Sequence, residues 1–287
     1  MNRALSATRS TRRWHARIDI ELAQSGAKTV VAHSRHSGPL RLQRPFHPEA
    51  DGTAHIYLLH PPGGMVLGDA LDMNISARSG ARGLITTPSA GRFYSVGTSA
   101  QQQRQSARLE VAEDAVLEWL PQETIVFSGA QARIETRLDV ARGARFCAWD
   151  IVALGRAVGE QPFVSGHCEQ QFEVLREGRP WFVERNVLQA GARLLQAPWG
   201  LNGADTVGTL VANVSLERDA REALLARVQA GYDPAHRFSL TQRADLLVGR
   251  YLGPSATQGR SGLAAIWAGL RSTLLGKDAA IPRIWYT

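Results

Sequence analysis

Ala132-Arg133-Ile134-Glu135-Thr136-Arg137-Leu138-Asp139-Val140, followed at once by Ala141-Arg142-Gly143-Ala144, decides the fold class of this 287-residue chain. Apolar side chains occupy most alternate positions, with charged residues between them. Period two is the signature of a β-strand that buries one face and wets the other; a helix needs apolar residues three and four apart. The tail that follows reads as a tight turn. Glycine supplies a backbone conformation other residues resist, and the small alanine lets the next strand start close to a neighbour.

The same phrase recurs. Leu71-Asp72-Met73-Asn74-Ile75-Ser76-Ala77 leads into Arg78-Ser79-Gly80-Ala81, and Leu109-Glu110-Val111 into Ala112-Glu113-Asp114-Ala115. A looser copy has Ile20-Glu21-Leu22 before Gly26-Ala27. Shorter alternating stretches lie at Ala107–Val111, Ala115–Trp119, Phe172–Val174 and Trp181–Val183. From Ile75 to Leu109 is 34 residues and from Leu109 to Leu138 is 29, the length of a few short strands with their turns. Two arrangements fit: stacked coils that cover one another's core faces, or unrelated strands that look alike because strands with glycine turns do.

Two segments change period. Leu216, Ala220, Leu224 and Val228 mark an amphipathic helix within 216–230. Leu263, Ile266, Trp267, Leu270 and Leu274 mark a second, with Ser261 as the expected N-cap and Gly276 as the C-cap. Each helix either packs on the sheets or offers its apolar stripe to a partner. No low-complexity linker interrupts the chain, so 1–287 reads as one mainly β domain with a small two-helix part near the C-terminus, and residues 1–13 as a flexible basic tail. That Arg- and Ser-rich opening also has the composition of a transit peptide, but it lacks an apolar stripe.

The net charge of +7 sits at one end. Residues 1–44 hold nine Lys/Arg against Asp19 and Glu21, and the remainder balances. Only Trp14 supplies an aromatic ring there, so the stacking platform of a single-strand binder is missing and an acidic protein surface is the better match. No run approaches the ~18 apolar residues of a membrane helix, and no apolar segment follows the N-terminus as in a secretory signal. Cys147 and Cys168 form no CxxC pair, which points to a reducing, cytoplasmic setting.

Catalytic signatures are missing. Ser95 has Gly97 after it but Phe93 where a nucleophile elbow needs glycine, and Gly276-Lys277 runs into Asp278 with no phosphate loop before it. His33 and His36 stand in a basic stretch, His167-Cys168 would point to opposite strand faces, and His60 before Pro61-Pro62-Gly63-Gly64 is a turn residue or a ligand. None has the spacing of a closed zinc site. The chain reads as no enzyme, with no tightly bound cofactor. Glu118 in Val116–Pro121 and Asp150 in Phe146–Val152 lie in apolar context. They either occupy the outward face of an alternating strand or line an internal polar channel, where each would need a partner or water.

Five blocks in order resemble the urease accessory protein UreD (UreH) family. They are Leu59-His60-Pro61-Pro62-Gly63-Gly64 with Gly68-Asp69; Ile85-Thr86-Thr87-Pro88-Ser89-Ala90 with Tyr94; and Leu117-Glu118-Trp119-Leu120-Pro121-Gln122-Glu123-Thr124-Ile125. Leu154-Gly155-Arg156 with Gly159-Glu160, and Pro282-Arg283-Ile284-Trp285 with Thr287, complete the set. The chain departs from the family at Leu67, where glycine is usual, at Phe93-Tyr94-Ser95, and at Asp150, where glutamate is usual.

The resemblance implies a right-handed β-helix-like fold of layered sheets and a non-catalytic role in urease maturation. It implies docking on apo-urease together with UreF and the GTPase UreG, which deliver nickel to a two-nickel site bridged by a carbamylated lysine. A water-filled passage for nickel is part of that picture. Spaced oxygen donors suit such a passage because they exchange an ion that a Cys/His cage would trap. Asp69, Glu118, Asp150 and Glu160 are the expected oxygens, with Thr86 and Ser89 beside them. Leu263, Trp267, Leu270, Arg283 and Trp285 are the expected partner-binding residues. The rivals are a purely architectural bridge with no nickel transit, and a basic nucleic-acid-binding protein. Neither nucleic acid nor membrane is expected as a partner.

Overall fold

The computed structural model describes residues 14–156, 159 and 161–286; the basic tail and Glu160 lie outside them. The chain opens with a hairpin of β1 (His15–Ser25) and β2 (Lys28–Ser37), then a shorter pair, β3 (Arg41–Leu42) and β4 (Ala54–Leu59). A winding part follows: β5 (Ala70–Ala77), β6 (Arg82–Thr86), β7 (Gly91–Phe93), then β8 (Gln103–Val111), β9 (Val116–Trp119), β10 (Thr124–Val126), then β11 (Gln131–Val140) and β12 (Arg145–Leu154). A second hairpin joins β13 (His167–Arg176) to β14 (Arg179–Gln189). The last part holds α1 (Arg193–Gln196), β15 (Thr206–Ala212), α2 (Arg218–Gln229), β16 (Arg237–Arg243), β17 (Leu246–Gly253), α3 (Ala256–Leu275) and a 3-10 turn at Arg283–Tyr286.

Two sheets form. In the first, β1, β5, β8, β11 and β13 are parallel neighbours, and β2 and β14 close its edges antiparallel. In the second, β4, β6, β9 and β12 are parallel and are continued antiparallel by β15, β17 and β16, with β3 beyond β4. Each circuit of the winding part therefore crosses from the first sheet to the second, β5 to β6, β8 to β9 and β11 to β12, and these strands stack on those of the next circuit, while β7 pairs with β10 and β10 with β12 at the margin of the second sheet. The expected mainly β fold is what the structure shows.

The repeated turns make that stacking possible. Gly80, Asp114 and Gly143 have φ of +73°, +60° and +79°, the left-handed region in which glycine, and next to it aspartate, costs least. In each turn the following alanine N–H closes on a carbonyl three residues back: Ala81 on Arg78, Ala115 on Ala112, Ala144 on Ala141. The turns are themselves laddered. Arg78 N–H donates to Leu22, Ala112 to Ala77, and Ala141 to Val111. Ala81, Ala115 and Ala144 are buried, so a larger side chain there would meet the neighbouring coil.

The core has two parts. Inward residues of both sheets, such as Ile18, Ile75, Leu109, Phe146 and Phe172, fill the space between them. The other face of the second sheet is covered by α3, whose Leu263, Ile266, Trp267 and Leu270 are completely buried against Trp149, Leu210 and Leu247. Burying side chains of this size contributes ~1.5–3 kcal/mol each. Three points correct the sequence reading. The short α1 was not foreseen. Helix α3 starts earlier than its apolar stripe, capped by Ser255, whose hydroxyl accepts from Gln258 N–H at 3.3 Å, while Ser261 lies inside it; Gly276 is the C-cap as expected. The first turn was hidden because it contains Gly259, a poor helix former. It is glycine because the Tyr251 ring lies where a Cβ would come within 2.4 Å.

Candidate functional site

Three polar features interrupt the apolar core. The first lies between the second sheet and α3. Arg271, fully buried, uses all five of its N–H groups. Nε and Nη2 grip the two Glu118 oxygens at 3.0 and 2.7 Å, Nη1 and Nη2 grip those of Glu49 at 2.9 and 2.8 Å, and Nη1 also meets the Asp278 carbonyl at 2.8 Å. Trp267 Nε1 donates to Glu118 at 2.6 Å, and His55 and Lys277 complete the shell of Glu49. Burial would raise the Glu49 pKa, but His55, Arg271 and Lys277 together hold it at about 2. The cluster is a closed structural ion network.

The second lies between the sheets. Asp150 on β12 pairs across the second sheet with Thr209 on β15, which pairs with Arg250 on β17. Facing them from the first sheet are Thr136, Gln170, Glu184 and Asn186. Thr136 donates to Asp150 Oδ1 at 3.0 Å, Thr209 donates to Glu184 at 2.7 Å, Arg250 forms an ion pair with Glu184, and Asn186 bonds Gln170 at 3.0 Å. Asp150 Oδ2 is buried without a partner. Burial, helped by the charge of Glu184 and opposed by Thr136 and Gln170, pushes the Asp150 pKa up to about 7. This is a layer of oxygen donors running from the half-exposed Arg250 into the core.

The third is a cleft of about 70 Å³ between the sheets, lined by His60, Ser89, Arg92, Gln105, Trp119 and Thr124 among others. Three of the five resemblance blocks converge here, through His60, Ser89 and the stretch Trp119–Thr124. Burial lowers the His60 pKa, the charge of Asp69 opposing.

The expected metal oxygens are not brought together. Asp69 is a backbone clamp, its carboxylate accepting from Val66 N–H at 2.9 Å and Trp14 N–H at 3.4 Å. Glu118 faces α3, on the opposite side of the second sheet from Asp150. It is neither solvent-facing nor open to a channel, since both its oxygens are held. Glu160 lies outside the described residues. Thr86 also faces the helical side, donating to the Leu120 carbonyl at 2.5 Å and accepting from Trp285 Nε1 at 2.9 Å, whereas Ser89 is exposed at the cleft. Among the described residues no group of three or more His, Cys, Asp or Glu is placed to hold a metal ion.

Leu263, Trp267 and Leu270, read as a partner-facing stripe, are core residues of this chain, because α3 covers its own sheet. Trp285 is also turned inward, its ring 5.7 Å from both Trp149 and Trp267, while Arg283 is exposed. Sequence reading missed Glu184 and Arg271. Glu184 sits beside Val183 in an ordinary edge-strand pattern, and Arg271 lies within the apolar stripe of α3, where a charged residue between Leu270 and Leu274 was the available signal.

A family model described as UreD urease accessory protein matches residues 15–286. The urease accessory protein UreD of Saccharophagus degradans is 44% identical over 278 residues, covering 96% of this chain and 94% of that one. UreD of Hahella chejuensis is 38% identical over 291 residues, covering 98% and 93%. UreD of Pseudomonas fluorescens is 39% identical over the full length of both. These relatives are named as accessory proteins, which points away from a catalytic role and toward urease maturation. With a family model matching nearly the whole chain and relatives this similar over nearly their full length, the chain belongs to the UreD urease accessory protein family.

Proposed function

We propose that this chain is a non-catalytic scaffold that docks on apo-urease and recruits UreF and the GTPase UreG, and that nickel passes as cargo through the polar layer between its sheets. The observation that carries the transit step is Asp150, with a free buried oxygen beside Glu184. Its surroundings offer carboxylate, hydroxyl and amide oxygens and no thiolate or imidazole, a donor set that binds nickel weakly enough to let it move on. Exposed apolar side chains support the docking role. Trp199 is 67% and Tyr286 78% exposed, so each offers apolar area to a partner. The work is placed in the cytoplasm, in keeping with two buried free cysteines; among the described residues no helix is long and apolar enough to cross a membrane.

The test co-expresses Asp150→Ala with the urease subunits and the other accessory proteins. It measures co-purification of the complex and the nickel content of the urease. Intact assembly with at least several-fold less nickel is expected. Full nickel loading with intact assembly removes transit through Asp150 and leaves the purely architectural bridge. That second reading is favoured by one observation, the closed Glu118–Arg271 pair, which withdraws one expected donor.

A further inference from the structure

We infer that the cleft between the sheets is a binding subsite for a small carboxylate, separate from any route a cation takes through the Asp150 layer. Among the described residues the wall of the cleft contains no Asp or Glu, and Arg92 is its one charged side chain. Trp119, 2% exposed, is part of this wall, and its Nε1–H, which can only donate, has no partner. Thr124, 7% exposed, and the side chains of Gln105 and Gln122 also make no hydrogen bond there. A buried donor left unmade costs free energy, so a wall carrying this many open polar groups is built around something that accepts from them.

Size and shape narrow the ligand. About 70 Å³ holds a few waters or one group of three or four heavy atoms. Gly91 leaves the gap between two of the open groups empty: a Cβ there would stand 3.4 Å from Thr124 Oγ1 and 3.7 Å from Gln105 Oε1. A planar carboxylate fits the donors, because one oxygen can take the indole N–H while the other meets the hydroxyl or an amide, with Arg92 offsetting the charge. A metal cation fits none of this. Among the described residues the wall gives it no anionic oxygen, and Asp69, whose charge reaches His60, is already held by two backbone N–H groups.

The full-length chain, titrated with carbon-13 acetate and followed by ligand NMR, is expected to show saturable binding with Kd on the order of 1 mM, the range open to so small a ligand. Trp119→Phe keeps the ring and removes the donor, and should weaken binding roughly 3–10-fold, the worth of one hydrogen bond. Gly91→Ala removes no donor but places a methyl group in the gap, and should weaken it at least as much. Its backbone is not in the left-handed region, so folding is retained. Methylammonium, equal in size and opposite in charge, should not compete. Acetate that remains bound after assembly with urease identifies a free small molecule as the ligand, and acetate expelled on assembly identifies an acidic side chain of a partner. Non-saturating acetate, equal affinity in both variants, or displacement by methylammonium would overturn the inference. Nickel loading by the Asp150 route is read separately and does not enter this result.

Discussion

Replacing Arg271 by methionine tests the ion network beneath α3 most directly. The side chain is fully buried, and its loss leaves Glu118, also fully buried, with only the Trp267 indole as a close partner. Removing one partner of a buried ion pair costs ~3–5 kcal/mol, because the remaining charge is stranded out of water. A domain somewhat smaller than this chain loses ~2–4 °C of melting temperature per kcal/mol. Taking the low end for the present length, Arg271→Met should melt roughly 6–10 °C lower at pH 7 by circular dichroism. The double variant Glu118→Gln/Arg271→Met strands no charge at Glu118 and should recover at least half of that loss. A single variant that loses less than about 1 kcal/mol, or a double variant no better than the single, would refute the view that the pair matters through its burial.

The remaining expectations concern charge and backbone. Glu49 has its pKa held at about 2, below its unfolded value near 4.5, so its stabilisation is complete above pH 4.5 and is lost as pH falls toward 2. Melting temperatures measured across pH 2–6 should decline in that window, and less steeply once Lys277→Met has removed one of its partners. Asp150 is the opposite case: with a folded pKa of about 7 against 3.8, it weighs against folding increasingly as pH rises from 4 to 7. Asp150→Asn should therefore gain stability over the natural chain at pH 8 and little at pH 4, and an equal difference at both would contradict its raised pKa. At the turns, Asp114→Gly should be neutral or stabilising by up to ~1 kcal/mol, and Gly143→Val destabilising by ~1–2 kcal/mol, since only the second forces a branched residue to φ of +79°. Urea denaturation of both variants measures the difference.

The local parts of this molecule were legible in the sequence. Alternation from Ala132 to Val140 becomes a strand whose buried pattern also alternates, and the Gly or Asp of the repeated turn takes the left-handed conformation. Both properties belong to a few consecutive residues, so a few consecutive residues suffice to specify them. Gly276 as the cap of α3 is of the same kind.

What alternation cannot say is which of two buried faces a side chain joins. The second sheet is covered on one side by the first sheet and on the other by α3, so β12 is buried from Phe146 to Leu154 without a break and β9 throughout. Period two vanishes where both faces are dry. For that reason Glu118 and Asp150 look alike in sequence, yet one meets an arginine 153 positions away and the other keeps an oxygen free beside Glu184. The stripe of α3 carried the same ambiguity, since an apolar helix face announces that something will cover it without naming the cover. Turn and strand are written in neighbouring residues; pairing between distant charges is set only when the chain has closed on itself and fixed the distances on which Coulomb attraction and desolvation depend.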